Sequence, residues 1–422
     1  MQIYDEQDLK LLKENISDIM DTIEEKKLTI YEPTKEEQMK ANEVVFEFIK
    51  ENKRKIYGGY AQNKVIIAKN PEDKFYKEDI IPDIDFYSPS PIIDLIKICN
   101  KLHEKGFKNV VGQEALHSET YKIFVDQVDV CDISYVPTNI YNKIPFIEIE
   151  GYIYVHPIFI MIDMYRMLTD PHFSSFRWEK QFPRIIKLQK NYPIYEMNNK
   201  LEKEKIENKE TKRILKSVYE YIKNNKTIIL VGDYVYNYYI YKSEIKKDKK
   251  KGEKYEYIKD MKYTMISLDY KNDGKKLMSY IYKNNEDIKQ DIKIEEHYPF
   301  WNLLGYNFYV KYKNEIVCQM INYGRRCIPV KEVKAIDFTK EEIKHGNMEE
   351  KSIIKIGSYG YNMLHDLIFI QWNRVNENKK KMRYYKTKIS HIIEMRKYYL
   401  KKNKKTILDK TIFEEFITEC IG

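Results

Sequence analysis

The sequence predicts an α+β protein built from two similar α/β segments with helical regions around them. Strand-like and helix-like stretches alternate from Lys55 to about Val136, in an order that gives a mixed or antiparallel sheet. A second segment of the same texture begins at Thr227. Both segments open with a glycine turn between a strand and a helix, Tyr57-Gly58-Gly59 and Val231-Gly232-Asp233. The repeated opening indicates an internal duplication.

The composition is that of a globular chain with one strongly basic region. With 422 residues, of which 43% are hydrophobic, the chain is long enough for two or three cores. Residues 376–405 contain twelve Lys/Arg and two Glu, so most of the net charge of +9 lies there. A concentrated basic segment suits a phosphate-backbone partner, and a solvated lysine-rich helix explains the charge equally well.

The cysteines and the apolar stretches set the expected environment. The cysteines have no C-x-x-C spacing, so we expect neither a disulfide framework nor a zinc site, and a reducing intracellular compartment fits best; they are Cys99, Cys131, Cys318, Cys327 and Cys420. The first residues do not resemble a signal peptide. The most apolar stretch, 152–168, is interrupted by charged residues, and no membrane span is expected.

Apolar spacing and punctuation place the elements in order. Before the first glycine turn, apolar residues recur at three- and four-residue steps, which predicts helices. After it, short apolar runs bounded by polar loops predict strands. The predicted elements are the strand 55–57, a helix 60–68, a polar loop 69–81, a strand from Asp83, a helix 91–105, two strands within 121–136, helices within 155–192, strands at 227–231, 306–312 and 315–322, and a helical end from Gly360.

These elements define four regions. They are a helical N-terminal extension over 1–50, a catalytic domain with its following helices over 51–197, a charged connection over 198–213, and a second α/β domain with a basic helical C-terminus over 214–422.

Asp83 and Asp85 are the residues in which we expect chemistry. Residues i and i+2 of a strand point to the same face, so the two carboxylates project side by side while Ile84 turns into the core. Adjacent carboxylates repel each other unless protons or cations intervene, and Mg²⁺ prefers carboxylate and phosphate oxygens. A pair of such ions can activate a hydroxyl and stabilise a leaving pyrophosphate. Glycines before a helix, as at Gly58-Gly59, let backbone N–H groups approach a phosphate.

This combination resembles the polymerase-beta-type nucleotidyltransferase superfamily. More narrowly, it resembles the poly(A) polymerase catalytic subunits of large DNA viruses such as poxviruses, asfarviruses and mimivirus relatives. The resemblance implies a polymerase-beta-like domain followed by a degenerate copy, which has only Ser267-Leu268-Asp269 where the first has Asp83-Ile84-Asp85. It covers residues 50–195 and rests on the segments 56–59, 82–88, 114–117, 131–137, 168–171 and 177–180.

The resemblance implies transfer of AMP from ATP to an RNA 3′-hydroxyl with release of pyrophosphate. Asp83, Asp85 and a third carboxylate would hold Mg²⁺ or Mn²⁺. We favour Asp132 as the third, because it lies in the segment most like the family. Asp129 fits the apolar-Asp-apolar pattern equally well, and Asp126 is predicted to lie near a hairpin turn.

The resemblance also suggests where the nucleotide binds. The Gly58-Gly59 amides would hold the triphosphate, and the basic helix after the catalytic strands would border it. Lys180, Arg184 and Lys187 have the spacing of one helical face, unless Pro183 begins or kinks the helix there. An ordinary exposed helix explains these cations equally well.

The expected partners are an RNA 3′ end and ATP, with no membrane. Related viral enzymes imply either a homodimer or a viral processivity subunit, and a place in the cytoplasm of an infected cell or in the virion. One alternative is a nucleotidyltransferase with a tRNA or protein acceptor. Another is a noncatalytic RNA-binding subunit with the same fold, against which the intact Asp83/Asp85 pair argues.

Overall fold

The fold is taken from a computed structural model, which describes residues 5–31, 35–77, 81–194, 200–202, 206, 208–248, 250–322, 324, 327–340 and 348–421. The chain divides into two compact units, Met1–His156 and Pro157–Gly422. The first unit contains, in order, α1 (Glu6–Tyr31), α2 (Lys35–Glu51), β1 (Lys55–Tyr57), α3 (Gly58–Ile67), β2 (Ile84–Ser88), α4 (Pro91–Glu104), β3 (Val110–Glu114), β4 (Thr120–Val125), β5 (Val128–Tyr135), α5 (Thr138–Tyr141), β6 (Phe146–Ile149) and β7 (Tyr152–Val155).

The strands of the first unit form one mixed sheet in the order β3-β4-β5-β2-β1-β7-β6. β1 pairs antiparallel with β2 and parallel with β7, and β2 pairs parallel with β5. Ile84 and Phe86, on one face of β2, are fully buried, whereas Asp85 on the other face stays partly exposed. The α2 side chains Val45 and Phe48 are buried as well, and the ring of Phe48 lies 6.4 Å from that of Phe86. The predicted N-terminal helices are present, and α2 contributes to the core.

A buried ion pair fixes the end of β2 against the chain entering β1. Asp94, in the first turn of α4, accepts two hydrogen bonds from the Arg54 guanidinium, at 2.6 and 2.8 Å. The Ser88 hydroxyl donates to the same carboxylate at 2.5 Å. Because both carboxylate oxygens are satisfied by charge-assisted bonds, this cluster can be buried without an uncompensated charge.

The second unit contains further helices and a second sheet. Six of the sixteen residues of the predicted charged connection lie outside the described residues, and its last five, 209–213, form the start of α9. The elements are α6 (Pro157–Leu168), α7 (Pro171–Ser174), α8 (Trp178–Asn191), α9 (Lys209–Lys223), β8 (Ile228–Val231), α10 (Asp233–Ser243), β9 (Tyr263–Ser267), α11 (Tyr270–Asn284), β10 (Ile292–His297), β11 (Asn307–Tyr312), β12 (Glu315–Asn322), β13 (Ile328–Ile336), β14 (Glu349–Gly357), α12 (Tyr359–Val375), α13 (Lys379–Asn403) and β15 (Cys420–Ile421).

The second sheet repeats the topology of the first. Its order is β10-β11-β12-β9-β8-β14-β13-β15, so that each strand of the first sheet has a counterpart at the same place. The pairing directions also agree: β8 is antiparallel to β9 and parallel to β14, and β9 is parallel to β12. Asp273 accepts from the Ser267 hydroxyl at 2.6 Å, as Asp94 does from Ser88. The predicted α+β fold with an internal duplication is therefore confirmed.

The structure corrects one detail of the duplication. The β1–β2 register places Tyr57 opposite Asp85, and the β8–β9 register places Val231 opposite Thr264. Thr264 is therefore the counterpart of Asp85. Ser267-Leu268-Asp269 corresponds to the last residue of β2, Ser88, and the two residues after it, so its expected equivalence with Asp83-Ile84-Asp85 is wrong.

The expectation that the cysteines form no disulfide is also wrong for one pair. Cys327 and Cys420 are bonded across a sequence separation of 93 residues, with their Cα atoms 5.3 Å apart. The pairing of β15 with β13 joins Cys420 to Pro329, which brings the two cysteines within disulfide range. Sequence spacing carries no signal for a contact that the sheet alone creates.

None of the helices in the described part of the chain combines the length and the apolar character that a membrane span needs.

Candidate active site

The site is built around Gly58, which joins β1 to α3. Its φ of +71° is readily adopted only by glycine, and a Cβ added there would lie 1.7 Å from Oδ2 of Asp85. The absence of a side chain therefore lets the N-terminus of α3 and the Asp85 carboxylate approach each other. The predicted glycine turn and the predicted carboxylate strand meet at this point.

The sheet register aligns two of the predicted carboxylates. Asp85 of β2 is the direct partner of Asp132 on the parallel neighbour β5. Adjacent strands are about 4.8 Å apart and paired residues share a face, so both side chains project from one side of the sheet. Asp83 is exposed and lies two residues before Asp85, immediately before the strand. The three predicted carboxylates thus come from the start of β2 and from the middle of its neighbour β5.

Lys122 on β4 is a member of this cluster that the sequence did not reveal. It lies opposite Asp132, to which its ammonium donates at 2.7 Å, and it also pairs with Asp129. Both carboxylates are reachable because the β4–β5 register shifts between Ile123 and Phe124. An extra residue at this bulge turns two aspartates three positions apart towards the same lysine. Register with Asp85 favours Asp132 over Asp129 as the third carboxylate.

The hairpin turn lies where it was predicted. Asp126 and Gln127 connect β4 to β5, both with positive φ, as a two-residue hairpin turn requires. Asp126 accepts from the Asn109 side chain at 2.9 Å. Asp126 is therefore part of the hairpin turn, and its carboxylate is bonded to Asn109.

Without a bound cation, the closely spaced carboxylates of this cluster repel one another. Desolvation, and then the charges of Asp83 and Asp132, raise the pKa of Asp85 well above its ordinary value. Desolvation also raises the pKa of Asp132, against the hydrogen bond from Lys122, which lowers it. Divalent cations would remove this repulsion, so the donor chemistry of the three carboxylates fits Mg²⁺ or Mn²⁺.

The three carboxylates lie near one another, but their oxygen atoms do not converge on one metal position. Among the described residues, the one group whose ligand atoms all lie within 4.8 Å of each other is His172, Cys327 and Cys420. Since those two cysteines form the disulfide, they offer no thiolate to a metal. The aspartates would have to reorient to bind a shared ion, starting from an arrangement in which Lys122 pairs with Asp132.

Tyr57 supports the glycine turn from the preceding position. Its ring stacks on that of Tyr87, with centroids 3.9 Å apart and planes 2° apart. Its hydroxyl shares a hydrogen bond of 2.7 Å with the hydroxyl of Ser134. These two contacts tie β1 to β2 and β5, the strands that carry the carboxylates, and so hold the backbone entering Gly58.

The predicted triphosphate ligands Lys180 and Arg184 lie on α8, in the second unit. The helix continues through Pro183, so it does not begin there. Lys180 is exposed, whereas Arg184 is only 8% exposed and belongs to the packed side of the helix. Their contact with a nucleotide stays a prediction.

The counterpart of the site in the second sheet lacks all three carboxylates. Thr264 stands where the first sheet has Asp85, and Gln319, its partner on β12, stands where the first sheet has Asp132. Lys262, two residues before Thr264, takes the position of Asp83. Two neutral side chains and a cation offer no site for a second pair of divalent ions.

The glycine turn of the second sheet is also filled by the protein itself. Gly232 keeps a φ of +74°, but its N–H donates to the Asn362 side chain at 3.1 Å. Asp233 follows and pairs with the fully buried Lys388, whose ammonium also lies 3.0 Å from Asp366. Despite desolvation, which lowers it, these two carboxylates raise the pKa of Lys388. A lysine ammonium thus supplies the positive charge at this turn.

Two family models match the chain. The model "Poly(A) polymerase catalytic subunit" matches residues 43–174, and the model "APMV, Putative poly(A) polymerase, catalytic subunit, C-terminal" matches residues 186–422. The second match alone covers more than half of the chain.

Similar proteins and a similar structure agree with these matches. The "Putative poly(A) polymerase catalytic subunit" of Acanthamoeba polyphaga mimivirus is 32% identical over 435 residues, covering 99% of this chain and 73% of that protein. The protein of the same description from African swine fever virus (strain Badajoz 1971 Vero-adapted) is 34% identical over 162 residues, 36% of this chain and 33% of its own length. The crystal structure of the Megavirus polyadenylate synthase has a TM-score of 0.80 at 30% identity, covering 100% of this chain and 81% of that one. The chain therefore belongs to the poly(A) polymerase catalytic subunit family.

Proposed function

We propose that this chain adds adenylates to RNA 3′ ends, using ATP, at a single site formed by Asp83, Asp85 and Asp132. The observation that carries the proposal is the register of Asp85 with Asp132 beside the side-chain-free turn at Gly58. The other predicted acceptors, tRNA and protein, and a purely noncatalytic role are not favoured, because both family matches are to poly(A) polymerases.

In the proposed reaction, the RNA 3′-oxygen attacks the α-phosphorus of ATP. The 3′-hydroxyl gives up its proton to water, and the new O–P bond forms as the bond from the α-phosphorus to the α,β-bridging oxygen breaks, so that pyrophosphate leaves. The Gly58 and Gly59 backbone at the start of α3 would face the triphosphate, with Lys180 and Arg184 as further proposed ligands. Mg²⁺ or Mn²⁺ held by the three aspartates would lower the pKa of the 3′-hydroxyl and neutralise the leaving group.

The second sheet is proposed to be catalytically silent. Its three counterpart positions carry no carboxylate, and the N–H of its glycine turn is already bonded within the protein. We further propose that the protein acts in infected cells, since the similar proteins are viral. Assembly as a homodimer or with a processivity subunit stays a prediction, which a mass measurement in solution would test.

A primer-extension assay with ATP and a short RNA tests the proposed site. Asp83→Ala and Asp132→Ala should each lower the rate about a thousandfold or more, because each removes several kcal/mol of metal-mediated stabilisation. RNA binding should be retained in both variants. Asp129→Ala is the matched control and should keep activity within about tenfold. Near-normal extension by Asp83→Ala would refute the site, and a larger loss in Asp129→Ala than in Asp132→Ala would reverse the assignment of the third carboxylate.

A further inference from the structure

The fold buries some cations of the basic segment 376–405 and leaves others exposed. In the middle of α13, Lys388 is buried beside Asp233 and Asp366, and Arg396 pairs with Glu415 at 2.6 Å. These cations serve the core, so the predicted basic segment is not uniformly available to a ligand. Towards the C-terminal end of α13, by contrast, Lys397 and Lys401 are exposed.

That exposed end of α13 lines a cavity together with a lysine-rich loop. The cavity has a volume of about 690 Å³, within the range of about 300–1,000 Å³ typical of ligand sites. Lys397 and Lys401 are four residues apart and therefore lie on one side of the helix. Lys250 and Lys251 of the loop face the same space, as does Lys200 from an earlier segment.

The charges of this cavity are unbalanced. Two carboxylates line it, Glu253 and Glu394, and Glu394 is already bonded to both Lys254 and Tyr255. The lining lysines are Lys200, Lys250, Lys251, Lys254, Lys397 and Lys401, which outnumber the lining carboxylates by four. The surplus ammonium groups that line this open cavity repel one another and favour a polyanion that neutralises several of them at once.

Three of these lysines are available for such a ligand. Within the described residues, Lys250, Lys397 and Lys401 have no carboxylate at ion-pairing distance, and all three are exposed. They would each gain a partner from a bound phosphate. The neighbouring Lys251 instead lies over the ring of Tyr398, 5.8 Å from its centroid.

The described residues of the loop, 245–248 and 250–255, are held in place by their own packing. Ile245 and Tyr255, at its two ends, are fully buried. Between them, the Gly252 N–H donates to the Asp248 carbonyl at 2.7 Å, and a Cβ on Gly252 would lie 2.5 Å from the Lys246 carbonyl oxygen. A loop fixed in this way presents its lysines at defined positions, which lowers the entropy lost on binding.

Tyr398 adds an aromatic surface to the basic one. It lines the cavity, with Lys251 and Lys402 both 5.8 Å from its ring centroid. Lysines beside an aromatic ring are the combination with which proteins bind single-stranded nucleic acid, because unpaired bases stack while phosphates meet the charges. Double-stranded RNA offers no free base face to such a ring.

We propose that the cavity between the 245–255 loop and the C-terminal end of α13 binds single-stranded RNA, with Lys250, Lys397 and Lys401 on its phosphates and Tyr398 on a base. This proposal rests on the proposed function for the identity of the polyanion. It assigns a second RNA contact to the second sheet's unit, in which the positions equivalent to Asp83, Asp85 and Asp132 carry no carboxylate.

The test is a binding measurement that needs no catalysis. Fluorescein-labelled A20 is titrated with the full chain in EDTA, without ATP, at several salt concentrations. The variant Lys250→Gln/Lys397→Gln/Lys401→Gln should bind about tenfold or more weakly and flatten the slope of log K against log salt by about 2, at about 0.7 per phosphate contact. The matched control, Lys105→Gln/Lys293→Gln/Lys351→Gln, removes three exposed lysines elsewhere and should bind within about twofold of the wild type.

Tyr398 tests the preference for single strands. Tyr398→Ala should weaken binding of A20 about fivefold or more, whereas Tyr398→Phe, which keeps the ring, should not. A cavity variant that matches the control variant in affinity and salt slope would overturn the proposal, as would equal wild-type affinity for A20 and a 20-base-pair RNA duplex. Failure of the proposed function would be seen separately, as absence of ATP-dependent primer extension by the wild type.

Discussion

Replacing Gly58 by alanine tests the core of the site with one carbon atom. The added Cβ would lie 1.7 Å from Oδ2, 2.5 Å from Cγ and 2.8 Å from Cβ of Asp85. Ordinary non-bonded contacts between such atoms are about 3.5 Å or longer, so the carboxylate must retreat by well over 1 Å. Since the Cβ of Asp85 is itself too close, rotation of its side chain cannot relieve the contact fully.

Two costs follow, and they can be separated. A non-glycine residue at positive φ costs about 1–2 kcal/mol of folding stability. Displacing a catalytic group by 1 Å costs about a hundredfold in rate. Gly58→Ala should therefore lose about 1–2 kcal/mol or more in a urea unfolding experiment and at least a hundredfold in the initial rate of primer extension.

Gly106→Ala and Gly232→Ala are the controls. Gly106 has a φ of +92° and nothing within 4 Å of an added Cβ, so it carries the backbone strain alone. At Gly232 the nearest atom would be His365 Cε1 at 3.4 Å, an ordinary contact. Both should lose stability and keep their rate within about twofold. A Gly58→Ala enzyme with near wild-type rate, or a Gly106→Ala enzyme equally slow, would refute the reasoning.

Three further outcomes follow from buried or paired lysines. Burial lowers the pKa of Lys55 to about 8. The unfolded chain therefore keeps this proton to higher pH than the folded chain does. As a result, the free energy of unfolding of the wild type relative to Lys55→Met should rise by about 2 kcal/mol from about pH 7.5 to 9.5. A difference in unfolding free energy that stays constant with pH in urea melts would contradict this. Lys388→Met should cost about 3–5 kcal/mol in the same assay by leaving buried carboxylates unpaired, and adding Asp366→Asn should recover part of the loss. Lys122→Met should lower the Mg²⁺ concentration for half-maximal extension about tenfold, because the ammonium that competes with Mg²⁺ for Asp132 is removed. It should also lower the maximal rate. A higher Mg²⁺ requirement would contradict competition between Lys122 and Mg²⁺.

The sequence predicted the parts of the fold that depend on local pattern. Alternation placed Ile84 in the core and Asp85 on the other face, and the glycine turn marked the junction of β1 and α3. These features follow from the periodicity of strands and from backbone geometry. Such rules need no knowledge of the partners that a strand will have.

Register decided what the sequence could not. A regular hairpin turning at Asp126-Gln127 would place Lys122 opposite Cys131, pointing into the core. The bulge moves Lys122 opposite Asp132 and into the site. A one-residue slip exchanges the two faces of a strand. The sequence alone therefore could not predict that Lys122 lies in the site. The same dependence explains why the counterpart of Asp85 was misplaced in the second sheet.

The duplicated sheet gives the chain an internal reference for deciding which residues serve folding and which serve chemistry. Ser88 with Asp94 and Ser267 with Asp273 persist in both copies with the same hydrogen bond, so they are needed wherever this topology has to form. The position of Asp85, by contrast, is occupied by Thr264 in the second copy, although the topology is the same. Two halves that diverged under a shared architecture thus act as an alignment of two sequences. Selection for stability appears as what they keep in common, and selection for catalysis as what only one of them retains.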